Sequence, residues 1–140
     1  MAVATRVLSA GQPLFEGESE FVVAQGADGE LGVLGHHAPL ATWLKPGELM
    51  VRQPGGEEHH FFLEGGFLEV LPERITVLTE TGQATDQLDP EAAGAERQRA
   101  EEEVSRAEAG SPELERLRER LAVAERRLEA AERGKRRHRE

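Results

Sequence analysis

The sequence has no cysteine, which excludes a disulfide framework, a thiol nucleophile and a metal site ligated by cysteine. No apolar run approaches the roughly 18–20 residues of a membrane-spanning helix. The N-terminal segment Met1–Arg6 lacks the basic stretch and long apolar region of an export signal, so we expect a soluble and most simply cytoplasmic protein. A length of 140 residues allows one ordinary globular domain and a smaller addition.

Basic residues are scarce in the first part of the chain. Residues 1–86 carry 4 basic and 13 acidic side chains, whereas residues 87–140 carry 13 basic and 14 acidic ones. Because phosphate binding needs a basic surface, the net charge of −10 argues against a nucleic-acid partner. Residues 1–86 also hold every aromatic residue and most of the glycines and prolines. The sequence therefore predicts two domains, 1–86 and 87–140.

The first domain has the pattern of an all-β protein. Short apolar or alternating segments recur between turn residues, a spacing typical of a sandwich or barrel. Around Phe67 both faces of the segment are apolar, which predicts a strand at the centre of the sandwich or under another subunit. The predicted strands are Val3–Leu8, Leu14–Glu18, Glu20–Ala24, Leu31–Leu34, Leu40–Leu44, Glu48–Gln53, Glu58–Leu63, Gly66–Leu71, Arg74–Thr79 and a short tenth near Gly82–Thr85.

From Leu88 onwards the pattern predicts an antiparallel helical hairpin, with helices at about 90–109 and 112–134. Asp89 and Ser111 each precede a proline, which is a capping residue followed by the favoured first helical residue. The hairpin has a thin apolar seam, so we expect it to be marginal alone and able to occupy more than one position. The seam is predicted from Leu114, Leu117, Leu121, Ala124, Leu128 and Ala131 against Ala93, Ala100, Val104 and Ala107.

Catalytic and metal chemistry has little support. The histidine pairs His36-His37 and His59-His60 would each offer one ligand at most on a strand, and no nearby carboxylate completes a metal-binding spacing, so we expect no metal site. The glycine-rich segment 26–32 matches no phosphate-binding motif. The basic tail at 133–139 has two readings that stay open, a solvated helix end and a surface attracted to an acidic protein or phosphate.

One segment carries a family signature. Residues 29–40, GELGVLGHHAPL, are similar to the GELGxLPGHAPL-like segment of the ε subunit of bacterial F-type ATP synthases. Lys45-Pro46-Gly47, then EGGFLEV at 64–70, then Thr76-Val77-Leu78 follow in the family's order. The chain therefore resembles this family over almost its whole length. Gly35-His36 replaces the family's usual Pro-Gly, which affects the local turn geometry.

The resemblance implies a ten-stranded β-sandwich followed by a C-terminal helix–turn–helix. It implies a non-catalytic subunit of the central rotor stalk, which couples c-ring rotation through γ to ATP synthesis. Its expected partners are γ, the c-ring, and the β and α subunits of the catalytic head, without direct insertion into the membrane. The expected place is the cytoplasmic face of the cell membrane, and the hairpin is expected to inhibit ATP hydrolysis when it extends along γ.

The resemblance also implies roles for individual residues. It assigns to the c-ring interface Asp28, Glu30 and Leu31. It assigns to the γ interface His37, Ala38, Pro39 and Phe67. It assigns to inhibitory contacts with carboxylates of the β subunits Arg116, Arg118, Arg120, Arg126 and Arg127.

The start of the first helix is where some members of the family bind a regulatory nucleotide. Some family members bind ATP through an I/L-D-x-x-R-A motif at the start of the first helix, where this chain reads LDPEAA at 88–93. Ala92 stands where the motif has arginine and cannot supply charge-assisted bonds to phosphate. Asp89, Arg99 and Arg126 remain as candidates, and we expect weak or absent ATP binding and no cofactor.

Two other classes of function stay open. The chain would also suit a free-standing β-sandwich adaptor with a helical interaction hairpin, which co-purification with γ would distinguish. A small metal-dependent sandwich enzyme that uses the histidines is the third reading, and metal analysis of the purified protein would decide it.

Overall fold

The structure is a computed structural model that describes residues 1–139. It contains two compact units, one formed by Met1–Thr85 and the other beginning at Asp86. The second domain expected from the sequence, 87–140, ends at Glu140, which lies outside the described residues. Each unit is built on its own pattern of residues.

The first unit is a ten-stranded β-sandwich, so the predicted fold class is confirmed. Nine of the ten strands have five to seven residues, and the tenth has three. A 3₁₀ turn at Thr85–Gln87 follows the last strand. The strands are β1 Val3–Ser9, β2 Pro13–Ser19, β3 Phe21–Gly26, β4 Gly29–Leu34, β5 Leu40–Leu44, β6 Gly47–Arg52, β7 Glu58–Leu63, β8 Gly66–Leu71, β9 Arg74–Thr79 and β10 Gly82–Ala84.

Hydrogen bonding joins the strands into one folded-over sheet. The order is β10-β7-β6-β3-β5-β8-β9-β1-β2, and β4 pairs with β3 off this path. Strand β3 links the two layers, because its first half pairs with β6 while Gly26 pairs with Leu44 of β5. Only β1 and β9 run parallel among the paired strands of residues 1–139. On the opposite side Phe15 of β2 meets Phe61 of β7, with ring centroids 6.4 Å apart, so the sheet nearly closes.

Alternation along each strand sets the core. Val3 and Val7 of β1 and Ile75 and Val77 of β9 point inward and are buried, as the period of two requires. Thr5 lies between the two valines of β1, and its hydroxyl shares a 2.6 Å hydrogen bond with the hydroxyl of Ser19. A buried polar group is therefore satisfied within the core.

Strand β8 departs from one of the two sequence expectations. Leu68 and Val70 are buried in the core, but Phe67 and Leu71 on the outer face are only half-buried. A position at the centre of the sandwich is therefore wrong, since no second layer covers this outer face within the unit. The outer apolar side chains remain on the surface.

Two turns show why particular residues are needed. In the loop after β4, a Cβ atom on Gly35 would collide with the carbonyl oxygen of Met1, so only glycine fits. The next residue, His36, has a φ of 62°, in the left-handed region that favours glycine. Between β6 and β7, Gly55 and Gly56 also have positive φ, which glycine adopts readily in a tight hairpin.

The second unit is a pair of helices, α1 Pro90–Arg106 and α2 Pro112–Arg139. Asp89 caps α1, because its carboxylate accepts a 3.0 Å hydrogen bond from the Glu91 backbone N–H. The Ser111 hydroxyl accepts a 3.2 Å bond from the Leu114 N–H at the start of α2. In the described residues no helix has both the length and the apolar character needed to cross a membrane.

Both helix ends differ from the sequence expectation. Helix α1 ends at Arg106 rather than near residue 109, because Ala107 takes an extended conformation with φ −73° and ψ 147°. The turn then passes through Gly110, which has a φ of 78°. Helix α2 continues past Gly134 to Arg139 because no proline follows and the cations there suit the negative end of the helix dipole.

The apolar seam of the hairpin is thin. Small side chains predominate among its buried positions, and Leu121, Leu128, Val104 and Ala107 are only half-buried. Small residues allow helices to approach closely but remove little apolar area from water, so packing holds the pair only weakly. The buried residues of the predicted seam are Ala93, Ala100, Leu114, Leu117, Ala124 and Ala131.

Candidate functional site

An exposed row of apolar side chains crosses the outer face of β5, β8, β9 and β1. Strand pairing aligns Trp43 with Phe67 and Phe67 with Leu78. Leu78 is in turn aligned with Leu8. Trp43 is 69% exposed and Leu78 47%, while the other two are half-buried. We call these four residues the apolar row, and contiguous exposed apolar surface of this kind is typical of a protein interface.

The apolar row is ordered by ring packing. The rings of Trp43 and Phe67 meet edge to face, with centroids 5.0 Å apart and an interplanar angle of 72°. Such pairing fixes two large side chains in place before any partner binds, which lowers the entropy cost of forming an interface. The row is therefore a preorganised surface.

The residues expected at the c-ring lie on the β3–β4 hairpin. Asp28 is exposed in the turn of this hairpin, and Glu30 is exposed near the start of β4. The side-chain amide of Gln25 donates a 3.0 Å hydrogen bond to the Glu30 carboxylate. Leu31 is half-buried and packs against the sandwich core. The Ala27 N–H donates a 3.0 Å hydrogen bond to the Trp43 carbonyl, so the acidic turn adjoins the apolar row.

The residues expected at γ fall into two places. His37, Ala38 and Pro39 are exposed in the loop between β4 and β5. Phe67 faces Trp43 near the far end of β5, about 13 Å of extended strand from Pro39. The fold therefore brings Phe67 together with the acidic β3–β4 turn rather than with the His37 loop.

The five arginines of α2 differ in what they contact. Arg120 and Arg127 cross to α1, where they pair with Glu103 at 3.5 Å and Glu96 at 3.1 Å. Arg116 pairs at 3.9 Å with Glu113 of its own helix. Arg118 and Arg126 are exposed and form no ion pair with any other residue in the range 1–139.

The candidate nucleotide residues lie on both helices. Asp89 is engaged as the cap of α1. Arg99 and Arg126 are exposed, on α1 and α2 respectively, and Ala92 is exposed in the first turn of α1. The structure therefore offers exposed cations but no arginine at the start of α1.

The histidines do not converge. His36 and His37 are exposed in the loop after β4. His59 stacks on Phe15, with ring centroids 5.1 Å apart, and shares a 2.7 Å hydrogen bond with Gln53. Within residues 1–139 no group of three or more histidine and acidic side chains has the geometry to hold a metal ion.

One carboxylate has a shifted titration. Arg52 donates hydrogen bonds of 3.2 and 3.0 Å to Glu58, its cross-strand partner. This hydrogen bonding is the main reason that the pKa of Glu58 lies below its usual range, and the positive charge of Arg52 acts in the same direction. Arg52 also lies over the ring of Phe21, 5.3 Å from its centroid. These contacts hold the end of β6 against β7, so Arg52 and Glu58 have a structural role.

Comparison with known sequences identifies the family. The family model described as "ATP synthase, Delta/Epsilon chain, beta-sandwich domain" matches residues 2–84. The ATP synthase epsilon chain of Alkalilimnicola ehrlichii is 38% identical over 131 residues, which cover 94% of this chain and 93% of the relative. The chain belongs to the ATP synthase delta/epsilon chain family. The epsilon chain of Desulforamulus reducens is 51% identical over 92 residues, 66% of this delta/epsilon chain and 69% of the relative.

Solved structures share the fold of this delta/epsilon chain. A chain of the Euglena gracilis mitochondrial ATP synthase, solved with OSCP, F1 and the c-ring, superposes with a TM-score of 0.80 at 21% identity, covering 93% of this chain and 81% of that one. A chain from the central stalk and c-ring of the Tetrahymena thermophila enzyme gives 0.63 at 12% identity, covering 94% and 97%.

Sequence reasoning missed part of this delta/epsilon chain's surface. Trp43, Leu78 and Leu8 were not among the expected interface residues. The alternation of β9 does place Leu78 on the face opposite Ile75 and Val77, so its exposure could have been inferred. The alignment of Trp43 with Phe67 and Leu78 depends on strand pairing, which alternation alone does not give.

Proposed function

We propose that this delta/epsilon chain is a non-catalytic subunit of the rotor of an F-type ATP synthase. It links γ to the c-ring and thereby helps couple ring rotation to ATP synthesis. The observation that carries the proposal is that the likeness to ATP synthase epsilon chains extends over nearly the whole chain, hairpin included. Its expected place is the cytoplasmic face of the membrane, as a peripheral part of the complex.

The apolar row is the proposed γ-binding surface. It is exposed, ordered by the Trp43–Phe67 contact, and broad enough to span four strands. The acidic turn with Asp28 and Glu30 adjoins it, so one end of the sandwich would meet both γ and the polar loops of the c-ring. Leu31 would support this turn from the core rather than contact the ring.

Co-purification with γ tests the docking surface. Trp43→Glu should lower the affinity for γ by tenfold or more, since a buried tryptophan anchor is commonly worth about 2 kcal/mol or more. Leu34→Glu is the matched change, because Leu34 is 63% exposed but lies on β4 outside the row. If only Leu34→Glu lowers the affinity, the γ-binding surface lies nearer the loop with His37, Ala38 and Pro39. If the wild-type chain does not bind γ at all, the chain is a free-standing adaptor.

The acidic turn is tested by charge reversal. Asp28→Lys together with Glu30→Lys should weaken the coupling of ATP hydrolysis to proton pumping while leaving γ bound. Unchanged coupling in the assembled enzyme would remove these residues from the c-ring interface.

The hairpin is the proposed inhibitor of ATP hydrolysis. Its seam buries mainly small side chains, so exchanging the folded hairpin for contacts along γ would need only a few kcal/mol of differential contact. Arg118 and Arg126 are exposed and available for carboxylates of the β subunits without breaking an ion pair in the described chain. Deleting residues 88–140 should raise hydrolysis by the assembled enzyme, and unchanged hydrolysis would discard the inhibitory role.

Regulation by bound ATP is proposed to be weak or absent. The supporting observation is Ala92, which is exposed at the place of the motif arginine and offers no group to phosphate. Calorimetry of the isolated chain should give little heat on ATP addition, whereas tight and saturable binding would contradict this.

A further inference from the structure

Two ion pairs cross the hairpin in one regular pattern. Arg127 of α2 places its Nη1 atom 3.1 Å from both carboxylate oxygens of Glu96, and Arg120 places its Nη1 atom 3.5 Å from Glu103. Glu96 and Glu103 are seven residues apart on α1, and so are Arg120 and Arg127 on α2. Because the helices run antiparallel, the two pairs are successive rungs in the same register, and we call them the charge ladder.

The two rungs differ in exposure. The Arg127 side chain is only 17% exposed, so solvent and salt screen its pair with Glu96 less than they screen a fully exposed pair. Arg120 is mostly exposed, and its longer contact makes the second rung the weaker one. Interhelical pairs of this kind fix register and orientation where the apolar seam is uniform, as at the flanks of a coiled coil.

We propose that the charge ladder latches the folded hairpin and withholds Arg127 from any acidic partner surface. This inference rests on the proposed inhibitory function only for the identity of that partner. The Arg127 side chain is only 17% exposed beside Glu96, so a carboxylate of another subunit has little access to it while the hairpin is closed. Glu96 is therefore a positioning residue that limits access to Arg127, and Glu103 supplies the second rung of the latch.

The ladder divides the arginines of α2 into two groups. Arg118, Arg120 and Arg126 are exposed in the folded hairpin, whereas Arg127 becomes available only when α1 and α2 separate. The seam that would oppose separation buries few large side chains, so the ladder supplies a substantial part of the closing interaction. Closure should consequently weaken as ionic strength rises.

A spin-label distance measurement on the isolated full chain tests the latch directly. The chain has no cysteine, so labels at Ala95→Cys on α1 and Glu132→Cys on α2, both exposed positions, are unique. Glu96→Gln with Glu103→Gln should raise the open fraction about three- to tenfold at low ionic strength, because a neutral glutamine cannot form an ion pair with Arg127 or Arg120. The variant should also lose most of the salt dependence seen in wild type.

The matched control keeps the helix and the charge change. Glu101→Gln with Glu102→Gln removes two carboxylates from α1 whose ion pairs in the described residues are with Arg97 and Arg106 of the same helix. This control should leave the open fraction close to that of wild type. An equal increase in both variants, or no increase in either, would overturn the latch.

A charge swap distinguishes loss of the ion pair from a general loss of helical structure. Glu96→Arg combined with Arg127→Glu should return the open fraction towards wild type, whereas either change alone should raise it. Failure of the swap to rescue closure would show that the Arg127–Glu96 contact does not hold the hairpin.

The assembled enzyme tests the withholding of Arg127 separately. Glu96→Gln with Glu103→Gln should strengthen inhibition of hydrolysis several-fold relative to the Glu101→Gln, Glu102→Gln control. Equal inhibition by both variants would overturn this half of the proposal. If deletion of residues 88–140 left hydrolysis unchanged, the inhibitory function would fail, while the spin-label result would still decide whether the ladder latches the hairpin.

Discussion

At the scale of single residues, His36 holds a backbone conformation that suits glycine. Its φ is 62°, and the side chain is exposed in the loop after β4. His36→Gly should therefore raise the free energy of unfolding by about 0.5–1 kcal/mol, because the left-handed region costs a residue with a Cβ about 1–2 kcal/mol while glycine adds freedom to the unfolded chain. Chemical denaturation measures the difference.

The neighbouring histidine provides the control for this change. His37 is exposed in the same loop but is not among the residues of positive φ. His37→Gly should lower stability or leave it unchanged, since it relieves no strain. Equal stabilisation by both substitutions would show that the φ of His36 is not the cause.

Glu58 makes a pH-dependent contribution to the free energy of unfolding, and the direction of its pKa shift gives the sign. Its pKa is lowered in the folded chain, chiefly by the hydrogen bond from Arg52, so it adds stability at neutral pH and loses that contribution as the pH falls through its folded pKa. Glu58→Gln should lower the free energy of unfolding by about 0.2–1 kcal/mol at neutral pH, because the ion pair with Arg52 is partly exposed. At a pH well below the folded pKa of Glu58, the substitution should have no effect on stability. Denaturation across the acidic range measures this difference.

Glu18→Gln is the matched change for Glu58. Glu18 is exposed on β2 and forms no ion pair with another residue in the described part of the chain. Its replacement should leave stability nearly constant with pH. A cost for Glu58→Gln that persists in acid would contradict the role given to its charge.

The exposure of several candidate residues could be predicted from the sequence, but their grouping could not. Asp28 lies in a turn that the glycines on either side predict, and it is exposed there. Phe67 was expected at an interface because both faces of its strand are apolar. Its alignment with Trp43 and Leu78 joins positions that are distant along the chain, and local patterns carry no information on such pairing.

At the scale of elements, alternation and capping residues located most of the strands and helices. Strand β7 spans Glu58–Leu63 and β9 spans Arg74–Thr79, as the apolar patterns indicated. The helix ends were harder, because Gly134 reads as a stop signal but lies within α2. The parallel pairing of β1 with β9 could not be predicted, because it joins strands that are about 70 residues apart in the chain. The alternation within each strand is the same whichever strand lies beside it.

Gly94 makes α1 weaker than its length suggests. It lies inside the helix, where glycine costs about 1 kcal/mol relative to alanine. A Cβ atom there would meet only Leu128, at an ordinary 4.0 Å. Gly94→Ala should stabilise the hairpin by about 0.5–1 kcal/mol and slow amide exchange in α1, as measured by mass spectrometry.

The same chemical change at the turn should have the opposite sign. Gly110 has a φ of 78°, so Gly110→Ala places a side chain in the left-handed region and should destabilise the hairpin by about 1 kcal/mol. Faster exchange with Gly94→Ala, or protection with Gly110→Ala, would contradict this account of the two glycines.

At the scale of the whole molecule, the two units differ in what stabilises them. The sandwich has a continuous core of buried valine, leucine, isoleucine and phenylalanine. The hairpin relies on small buried side chains and the charge ladder. The sandwich should therefore unfold at a higher denaturant concentration than the hairpin.

Cross-linking in the assembled ATP synthase would show whether the sandwich contacts γ and the c-ring. Because the chain has no cysteine, a single cysteine at Leu78, the exposed aliphatic member of the apolar row, can carry a photoreactive label. We expect the label at residue 78 to form an adduct with γ, and a label on a second variant, Asp28→Cys, to form an adduct with the c subunit. An assembled enzyme in which neither position cross-links to γ or to the c subunit would contradict the docking of the sandwich in the central stalk.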